Sequence, residues 1–265
     1  MYVYPVVSRR SGGVSVGINL NPNNACNWAC AYCQVEGLVR GAAPQIDLEL
    51  LTRELDGFLG LAMTGAWMEA NAPAGARRIT DIALSGNGEP TTCGQFPEVI
   101  ERVIEARERA GLQVPIVLIT NGSRVHLDPV QRGLRAMAGA GGQVWFKLDR
   151  ATAAGREAVN RIQGGAGRAT EQLALAAGCC PTRVQTCMYT VDGVPPAEAE
   201  LQAYLALLQR EVEAGTTLDG VTLYGLARPS MQPGAERLGR VTPEWLEALA
   251  ERVREATALP VAVHP

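Results

Sequence analysis

Short β-rich segments alternate with helical segments along almost the whole chain, and this alternation restricts the folds open to it. Predicted strands cover residues 14–21, 79–85, 115–121, 143–149, 182–190 and 220–226. Predicted helices follow them at 48–63, 96–110, 129–138, 170–177, 197–213 and 243–256. Such alternation is typical of βα units that build a parallel sheet. We also predict an edge strand at 2–7 and a last strand at 260–263.

The faces of the strands distinguish a barrel from a flat sheet. In 143–149, Val144 and Phe146 share one face, whereas Lys147 and Asp149 share the other. A flat, doubly wound sheet is covered by helices on both sides, so its strands are apolar on both faces. The polar face therefore favours an α/β fold, a partial (β/α)6 TIM-like barrel, over the doubly wound alternative. Ligands of such barrels bind at the carboxyl ends of the strands.

Length, charge and cysteine content bound the class of protein. The chain has 265 residues and a net charge of −3, which fits one domain over 1–265, with 1–13 as an N-terminal extension and 257–265 as a C-terminal strand. It has no apolar run of membrane-spanning length and no signal-peptide pattern. A slightly negative net charge does not favour binding to nucleic acids. Seven cysteines, an odd number, favour free thiols and a cytoplasmic location.

Three cysteines follow the strand predicted at 14–21 with the spacing C-x3-C-x2-C: Cys26, Cys30 and Cys33. Three thiolates can hold three irons of a [4Fe–4S] cluster and leave the fourth iron open to a small molecule, whereas electron-transfer clusters use four cysteines. Zinc is an alternative, but structural zinc sites use four ligands, and neither His126 nor His264 is near a cysteine pair. A disulfide framework is disfavoured by the odd count and by the chain length.

Polar segments also follow the next two predicted strands. Small residues in Ser85-Gly-Asn-Gly-Glu-Pro-Thr91 let the backbone approach a ligand closely. The carboxylate of Glu89 can accept hydrogen bonds from an ammonium group, although Gly-Asn-Gly is also a common turn sequence. Asn121 can bind a polar ligand group, or it can simply form the turn into the next helix.

Lys147 is the only lysine among 24 basic residues. An unpaired buried charge is costly, so one interpretation pairs Lys147 with Asp149 or Asp81. The other gives Lys147 a catalytic role, in which it binds a carbonyl or carboxylate of a substrate or forms a Schiff base. Asp149 then binds a ribose hydroxyl.

Arginines are frequent after the strand predicted at 143–149, at positions 150, 156, 161 and 168. This excess indicates an anionic ligand, such as a carboxylate or phosphate, with a solvated surface as the alternative. The remaining cysteines are interpreted either as buried small apolar residues or as parts of an auxiliary cluster or hydrogen-atom donors. They are Cys93, Cys179, Cys180 and Cys187.

The three-cysteine motif, with Tyr32 before its last cysteine, resembles that of the radical S-adenosylmethionine (radical SAM) superfamily. Ser85–Thr91 is similar to the Gly-Gly-Glu element of the superfamily, and the order of elements matches from about 14 to 263. Several short runs are similar to the branch of wyosine-type tRNA synthase-related Fe–S oxidoreductases. They are Gly-Asn-Gly-Glu-Pro-Thr, Phe-Lys-Leu-Asp, Gln-Thr-Cys-Met and Leu-Tyr-Gly-Leu-Ala-Arg-Pro.

This resemblance implies a [4Fe–4S] cluster on the three cysteines and S-adenosylmethionine (SAM) on its open iron. The residues it assigns to the amino group of SAM are Asn87, Gly88 and Glu89. It assigns Asp149 and Gln185 to the ribose and the backbone near Tyr32 and Tyr224 to adenine. Asn121 is a further cofactor-binding candidate.

The implied activity is reductive cleavage of SAM to a 5′-deoxyadenosyl radical that abstracts hydrogen from a substrate. Candidate substrates are a nucleotide, a tRNA or a small anionic molecule, and the implied reductant is a separate flavodoxin or ferredoxin. One alternative is an activase of a glycyl-radical enzyme or a modifier of peptides or proteins. Another is a non-catalytic Fe–S electron-transfer protein. No interaction with a membrane is expected.

Overall fold

An eight-stranded sheet forms the centre of the computed structural model, which describes residues 1–8 and 12–265. The order of the strands in space follows their order in the sequence. The first strand is antiparallel to the second, and all later neighbours are parallel. The strands are β1 (Val3–Ser8), β2 (Gly13–Ile18), β3 (Ile79–Leu84), β4 (Ile116–Thr120), β5 (Gln143–Lys147), β6 (Thr182–Cys187), β7 (Gly220–Tyr224) and β8 (Val261–His264).

Helical segments connect the parallel strands from β2 to β8. The helices are α1 (Leu48–Met63), α2 (Ala66–Asn71), α3 (Phe96–Arg109), α4 (Asp128–Gly139), α5 (Ala153–Asn160), α6 (Gly167–Cys179), α7 (Glu198–Glu213) and α8 (Pro243–Thr257). Short 3-10 turns occur at Ala74–Ala76, Pro90–Thr92 and Ala235–Arg237. Two small strand pairs flank the sheet, Ala25–Cys26 with Val39–Arg40 and Thr190–Val191 with Leu238–Gly239. No helix in the described ranges is long and apolar enough to cross a membrane.

The main core contains one face of the parallel strands. Val144 and Phe146 are fully buried in it, as are Ile82 and Leu84. Burial of one such side chain contributes about 1.5–3 kcal/mol. Lys147, which points to the other face of β5, lines a cavity instead. The sheet is therefore a partial barrel with a polar ligand-sized interior, as its strand pattern predicts.

Every predicted strand and helix has a counterpart, including the edge strand β1 and the last strand β8. Asp47 and Thr242 cap α1 and α8 by accepting backbone hydrogen bonds from Leu50 and Trp245. Gly111 follows α3 with a φ of 66°, a left-handed conformation that suits glycine.

All six predicted parallel strands end earlier than expected, by one to three residues, and three of them illustrate the difference. The strand predicted to reach residue 21 ends at Ile18, and the one predicted to reach 149 ends at Lys147. The strand predicted over 182–190 stops at Cys187, and Thr190–Val191 pairs with another segment. Helices α2 and α5 were not predicted. In each case the polar residues beyond the strand end belong to the loops that build the site.

Candidate functional site

A cavity of about 320 Å³ opens at the carboxyl ends of the parallel strands. All but one of the predicted site residues line it. They are Cys26, Cys30, Tyr32, Cys33, Asn87, Gly88, Glu89, Asn121, Lys147, Gln185 and Tyr224. Six loops or strand ends, far apart in the sequence, thus contribute to one site. The exception is Asp149.

The cysteine loop, residues 26–33, is held on one side by the end of α5. The backbone amide of Ala31 donates to the carbonyl of Val159 at 2.7 Å, and that of Ala29 donates to the carbonyl of Asn160 at 3.3 Å. Carbonyls in the last turn of a helix have no partner within the helix. The cysteine loop supplies the missing donors, so the position of α5 fixes the path of the loop.

Residues 230–232 hold the same loop on its other side. The Ser230 hydroxyl donates to the Ala31 carbonyl at 2.7 Å, and the Met231 amide donates to the Cys33 carbonyl at 2.9 Å. The Gln232 side-chain amide donates to the Val35 carbonyl at 2.7 Å. The loop that carries the three thiols is therefore fastened at both edges.

Close backbone approach joins the loop after β3 to the cysteine loop. A methyl group on Gly88 would overlap the Ala25 carbonyl, so only glycine fits there without rearrangement. Gly86 has a φ of 126°, a conformation that L side chains rarely adopt. The Asn87 amide donates to the side-chain oxygen of Asn19 at 3.1 Å. The glycines expected to approach a ligand thus also pack the loops of the site together.

Glu89 is buried, and its carboxylate fastens the ends of β3 and β4 together. Oε1 accepts from Thr91 and from the Thr120 hydroxyl, the latter at 2.6 Å, and Oε2 accepts from the Asn121 amide at 2.6 Å. Burial raises the pKa of Glu89, against the effect of these hydrogen bonds. Among the described residues Oε2 has one hydrogen-bond donor, so this oxygen keeps acceptor capacity.

The three cysteines of the loop are half-buried, and two of their thiols accept hydrogen bonds. Burial raises the pKa of Cys26 to about 11 and that of Cys30 to about 12, so both stay protonated at neutral pH unless a metal displaces the proton. The Trp28 amide donates to Cys26 Sγ at 3.5 Å, and the Asn160 amide nitrogen donates to Cys30 Sγ at 3.3 Å.

No His, Cys, Asp or Glu group within residues 1–8 and 12–265 is arranged to hold a single metal ion. A mononuclear site requires ligands that converge on one point. In a [4Fe–4S] cluster each thiolate binds a different iron, so its ligands are spread more widely. Three thiols on the wall of one cavity, two of them with N–H donors, fit such a cluster.

Lys147 lies between two tyrosines. Its ammonium donates to the Tyr224 hydroxyl at 3.2 Å and lies 4.9 Å from the centre of the Tyr32 ring, within range of a cation–π interaction. Burial lowers the pKa of Lys147, but the neighbouring Tyr224 and Asp149 raise it more, with a net increase. In the described part of the chain no carboxylate lies within ion-pair distance of it, so neither Asp149 nor Asp81 is the ion-pair partner that sequence reasoning offered.

Asp149 does not line the cavity, although the alternation of β5 predicts that it shares a face with Lys147. Because β5 ends at Lys147, the alternation does not continue. Asp149 lies behind Tyr32, where Oδ2 accepts from the Tyr32 hydroxyl at 2.6 Å and from Asn160 at 2.8 Å. Oδ1 accepts from the Cys187 amide at 2.9 Å. Its carboxylate is an anchor of the site wall.

Two of the four arginines of the predicted cluster are buried, whereas Arg161 and Arg168 are exposed. Arg150 is buried and donates to the carbonyls of Asp149 and Cys187. Arg156 is buried on α5 and lies 5.7 Å from the Trp28 ring. Cys93 and Cys187 are buried free thiols.

Sequence reasoning missed several asparagines that organise the site. The Asn27 oxygen accepts from Asn121 at 2.8 Å, and its amide nitrogen donates to Ser123 at 2.6 Å. Asn21 donates to the Ala25 carbonyl at 2.8 Å. The available signal was the density of asparagine over 19–27, since this side chain favours irregular loops. Asn160 carried no comparable signal.

Comparisons with known proteins give one sequence match and several structural ones. No family model matches the chain. A segment of 133 residues, 49% of this chain, is 26% identical to 17% of GTPase Obg from Brachyspira hyodysenteriae. This chain contains no G-x-x-x-x-G-K-[ST] sequence, the phosphate-binding loop of many GTPases.

The similar solved structures cover nearly all of this chain. SuiB of Streptococcus suis, bound to its precursor peptide SuiA, has a TM-score of 0.62 at 10% identity and covers 96% of this chain. A radical SAM methyltransferase from Sphaerobacter thermophilus has a TM-score of 0.62 at 16% identity over 99% of this chain and 69% of its own. An archaeal TYW1 has a TM-score of 0.52 at 13% identity over 92% of this chain and 72% of its own.

The chain spans about half the length of SuiB, 49% of it. At these identities the matches establish the shared fold, and they confirm the predicted partial barrel.

Proposed function

We propose that this chain, whose fold is that of the radical SAM enzymes, binds a [4Fe–4S] cluster and SAM and acts on an anionic substrate. One observation carries the proposal. Three cysteine thiols, the Gly-Asn-Gly-Glu loop and Lys147 line a single cavity at the carboxyl ends of the strands. A cavity with a few convergent polar groups at this position is the usual location of a ligand site in this architecture.

Cys26, Cys30 and Cys33 are the proposed cluster ligands. Three thiolates leave one iron without a protein ligand, and this vacancy is where the amino and carboxylate groups of SAM would bind. When bound, the cluster supplies the electron that cleaves SAM to methionine and a 5′-deoxyadenosyl radical.

Glu89 and the backbone of Asn87 and Gly88 are the proposed contacts of the SAM ammonium. The free acceptor capacity of Glu89 Oε2 supports this role, since charge-assisted hydrogen bonds are the stronger ones. Gln185 and Tyr224, which lie on the same wall as Lys147, are proposed to orient the ribose and adenine. Asp149 acts through Tyr32, because its own oxygens are occupied.

Lys147 supports the anionic character of the substrate. Among the described residues it is the only cationic side chain that lines the cavity, and Glu89 is the only anionic one. Its raised pKa keeps it an ammonium, which favours binding of a carboxylate or phosphate over formation of a Schiff base, for which a free amine is needed. Nucleotides, tRNA and small carboxylates all present such groups.

A peptide is the second candidate substrate. It is favoured by the similarity of nearly the whole chain to SuiB, a protein whose structure contains a bound precursor peptide. An activase of a glycyl-radical enzyme would also act on a polypeptide. Either enzyme requires an electron donor, and we propose a flavodoxin or ferredoxin in that role.

The test is anaerobic reconstitution with iron and sulfide, followed by addition of dithionite and SAM. We expect 5′-deoxyadenosine from the unsubstituted protein and none from Cys30→Ala. If the protein holds a complete four-iron cluster but never cleaves SAM, with or without candidate substrates, this result would instead support an electron-transfer role.

Substrate class is tested by stimulation of that reaction with mononucleotides, bulk tRNA or peptides. An anionic substrate should raise 5′-deoxyadenosine formation, and Lys147→Met should weaken the response by about 10- to 100-fold, the equivalent of one charge-assisted hydrogen bond. Exposed Arg124→Met is the matched control for loss of a positive charge. If the substrate stimulates 5′-deoxyadenosine formation equally in the two variants, Lys147 does not bind the substrate.

A further inference from the structure

Asn160 is the last residue of α5, and it is fully buried. Its side-chain nitrogen donates to Cys30 Sγ at 3.3 Å and to Asp149 Oδ2 at 2.8 Å. We propose that Asn160 is a positioning residue that raises the reduction potential of the cluster by donating this hydrogen bond to the Cys30 sulfur. The proposal rests on the proposed function, since it requires a cluster on Cys30.

The orientation of the Asn160 amide follows from its neighbours. Both groups that face its nitrogen, a cysteine sulfur and a carboxylate, are acceptors in the cluster-bound state. A flipped amide would turn its oxygen toward two negative groups. Asp149 is itself held by Tyr32 and by the Cys187 amide, so it cannot move away. The amide nitrogen must therefore face the sulfur.

The opposite end of the same amide supports a functional role. Asn160 Oδ1 is buried and has no hydrogen-bond partner among the described residues. A buried unpaired acceptor costs about 1–3 kcal/mol, and an apolar residue of similar size would avoid that cost. The cost is accompanied by two donated hydrogen bonds, one to the Asp149 carboxylate and one to the Cys30 sulfur, and an apolar residue would make neither of them.

A hydrogen bond to a ligand sulfur changes the redox balance of a cluster in a known direction. Reduction adds an electron whose charge is partly carried by the sulfurs, and an N–H donor stabilises that charge. The hydrogen bond stabilises the reduced cluster more than the oxidised cluster, so the reduction potential of the cluster becomes more positive. Among the three thiols of the site, Cys30 alone accepts such a bond from a side chain in the described structure.

The matched comparison uses two substitutions that loosen different anchors. Asn160→Leu removes the donor to sulfur, together with the donor to Asp149, and keeps the branching of the side chain. Ser230→Ala removes a hydrogen bond to the backbone of the cysteine loop, to the Ala31 carbonyl, and leaves the sulfur contact intact. Each protein is reconstituted anaerobically, its iron is counted, and the midpoint potential is measured by EPR-monitored titration without SAM.

We expect Asn160→Leu to hold the same iron content with a more negative midpoint potential, and Ser230→Ala to titrate like the unsubstituted protein. Asn160→Ser, which keeps a shorter donor, should lie between the two. Unchanged midpoint potentials in Asn160→Leu and Asn160→Ser would overturn the inference and leave the proposed function standing. Loss of the cluster from both Asn160 variants would have the same consequence. Absence of a cluster from the unsubstituted protein would overturn both proposals.

Discussion

Tyr32 donates its hydroxyl hydrogen to Asp149 across 2.6 Å, although 117 positions separate the two residues in the sequence. The bond joins the cysteine loop to the segment just after β5. The carboxylate also binds Asn160, so it links the loop, the strand end and α5. Tyr32 in turn presents its ring to the ammonium of Lys147 at 4.9 Å. One buried carboxylate thus orients the aromatic wall of the site.

Tyr32→Phe should destabilise the protein, because it leaves Asp149 Oδ2 with a single donor. A hydrogen bond to a charged group contributes about 1.5–3 kcal/mol, and we expect a loss of that size in urea unfolding of the metal-free protein. Tyr204→Phe is the matched control, since its buried hydroxyl pairs with the neutral Thr186 hydroxyl at 2.7 Å. A control loss as large as that of Tyr32→Phe would contradict the role of Asp149 as an anchor.

Gly88→Ala should separate the loop after β3 from the cysteine loop. The added methyl group would overlap the Ala25 carbonyl, and relief of such overpacking costs about 1–3 kcal/mol. We expect lower stability in thermal unfolding and less iron after reconstitution. Gly94→Ala, whose new methyl group would meet no atom within 4 Å, should leave both measurements unchanged. A normal iron content in Gly88→Ala would show that this contact does not shape the cluster site.

Glu89 should make stability depend on pH. Its pKa in the folded protein is above the ordinary value of 4.5, chiefly because of burial, so the folded state holds the proton more tightly than the unfolded state. Glu89 therefore favours folding most below pH 4.5, and this contribution is lost as pH rises through the folded pKa. Relative to Glu89→Gln, the unsubstituted protein should lose stability over that range in urea unfolding. If the unsubstituted protein instead gains stability relative to Glu89→Gln as pH rises, the four hydrogen bonds affect the pKa of Glu89 more strongly than burial does.

Iron content should separate the cysteines into two groups. Alanine at position 26, 30 or 33 removes a proposed cluster ligand, so each variant should retain far less than the roughly four irons of a complete cluster. Cys93→Ala and Cys187→Ala change buried thiols that lie outside the cysteine loop. These controls should keep full iron. Loss of iron from either control would indicate an auxiliary cluster.

The fold was predictable because its signal repeats. Each βα unit carries its own alternation of apolar residues, so an error at one strand end does not alter the architecture. The cysteine and Gly-Asn-Gly-Glu segments were predictable as site elements because each directly follows a strand. Parallel strands bring their carboxyl ends to one edge, so position along the chain was enough to group them.

Helix α5 and its role in anchoring the cysteine loop could not be predicted from the sequence in the same way. It has only eight residues, includes Gly155, which has a low helix propensity, and precedes a glycine-rich segment. Its N-cap Thr152 and the left-handed Arg161 after it, with a φ of 55°, are the local signals of its ends. The contact between Asn160 and Cys30 spans 130 positions, and local patterns carry no information about such pairs. The orientation of Asp149 depends on the residue at which β5 ends, and tertiary contacts rather than local sequence determine that end.

The anchors of the cysteine loop also set the order in which the protein can be made. Residues 26–33 leave the ribosome early, but the carbonyls and side chains that fasten them lie at 159–160 and 230–232. The loop cannot reach its final path until residues 159–160 and 230–232 have been synthesised. Until then the three thiols lack these anchors. Insertion of the proposed cluster is therefore expected to follow the folding of those segments rather than to accompany the synthesis of the loop.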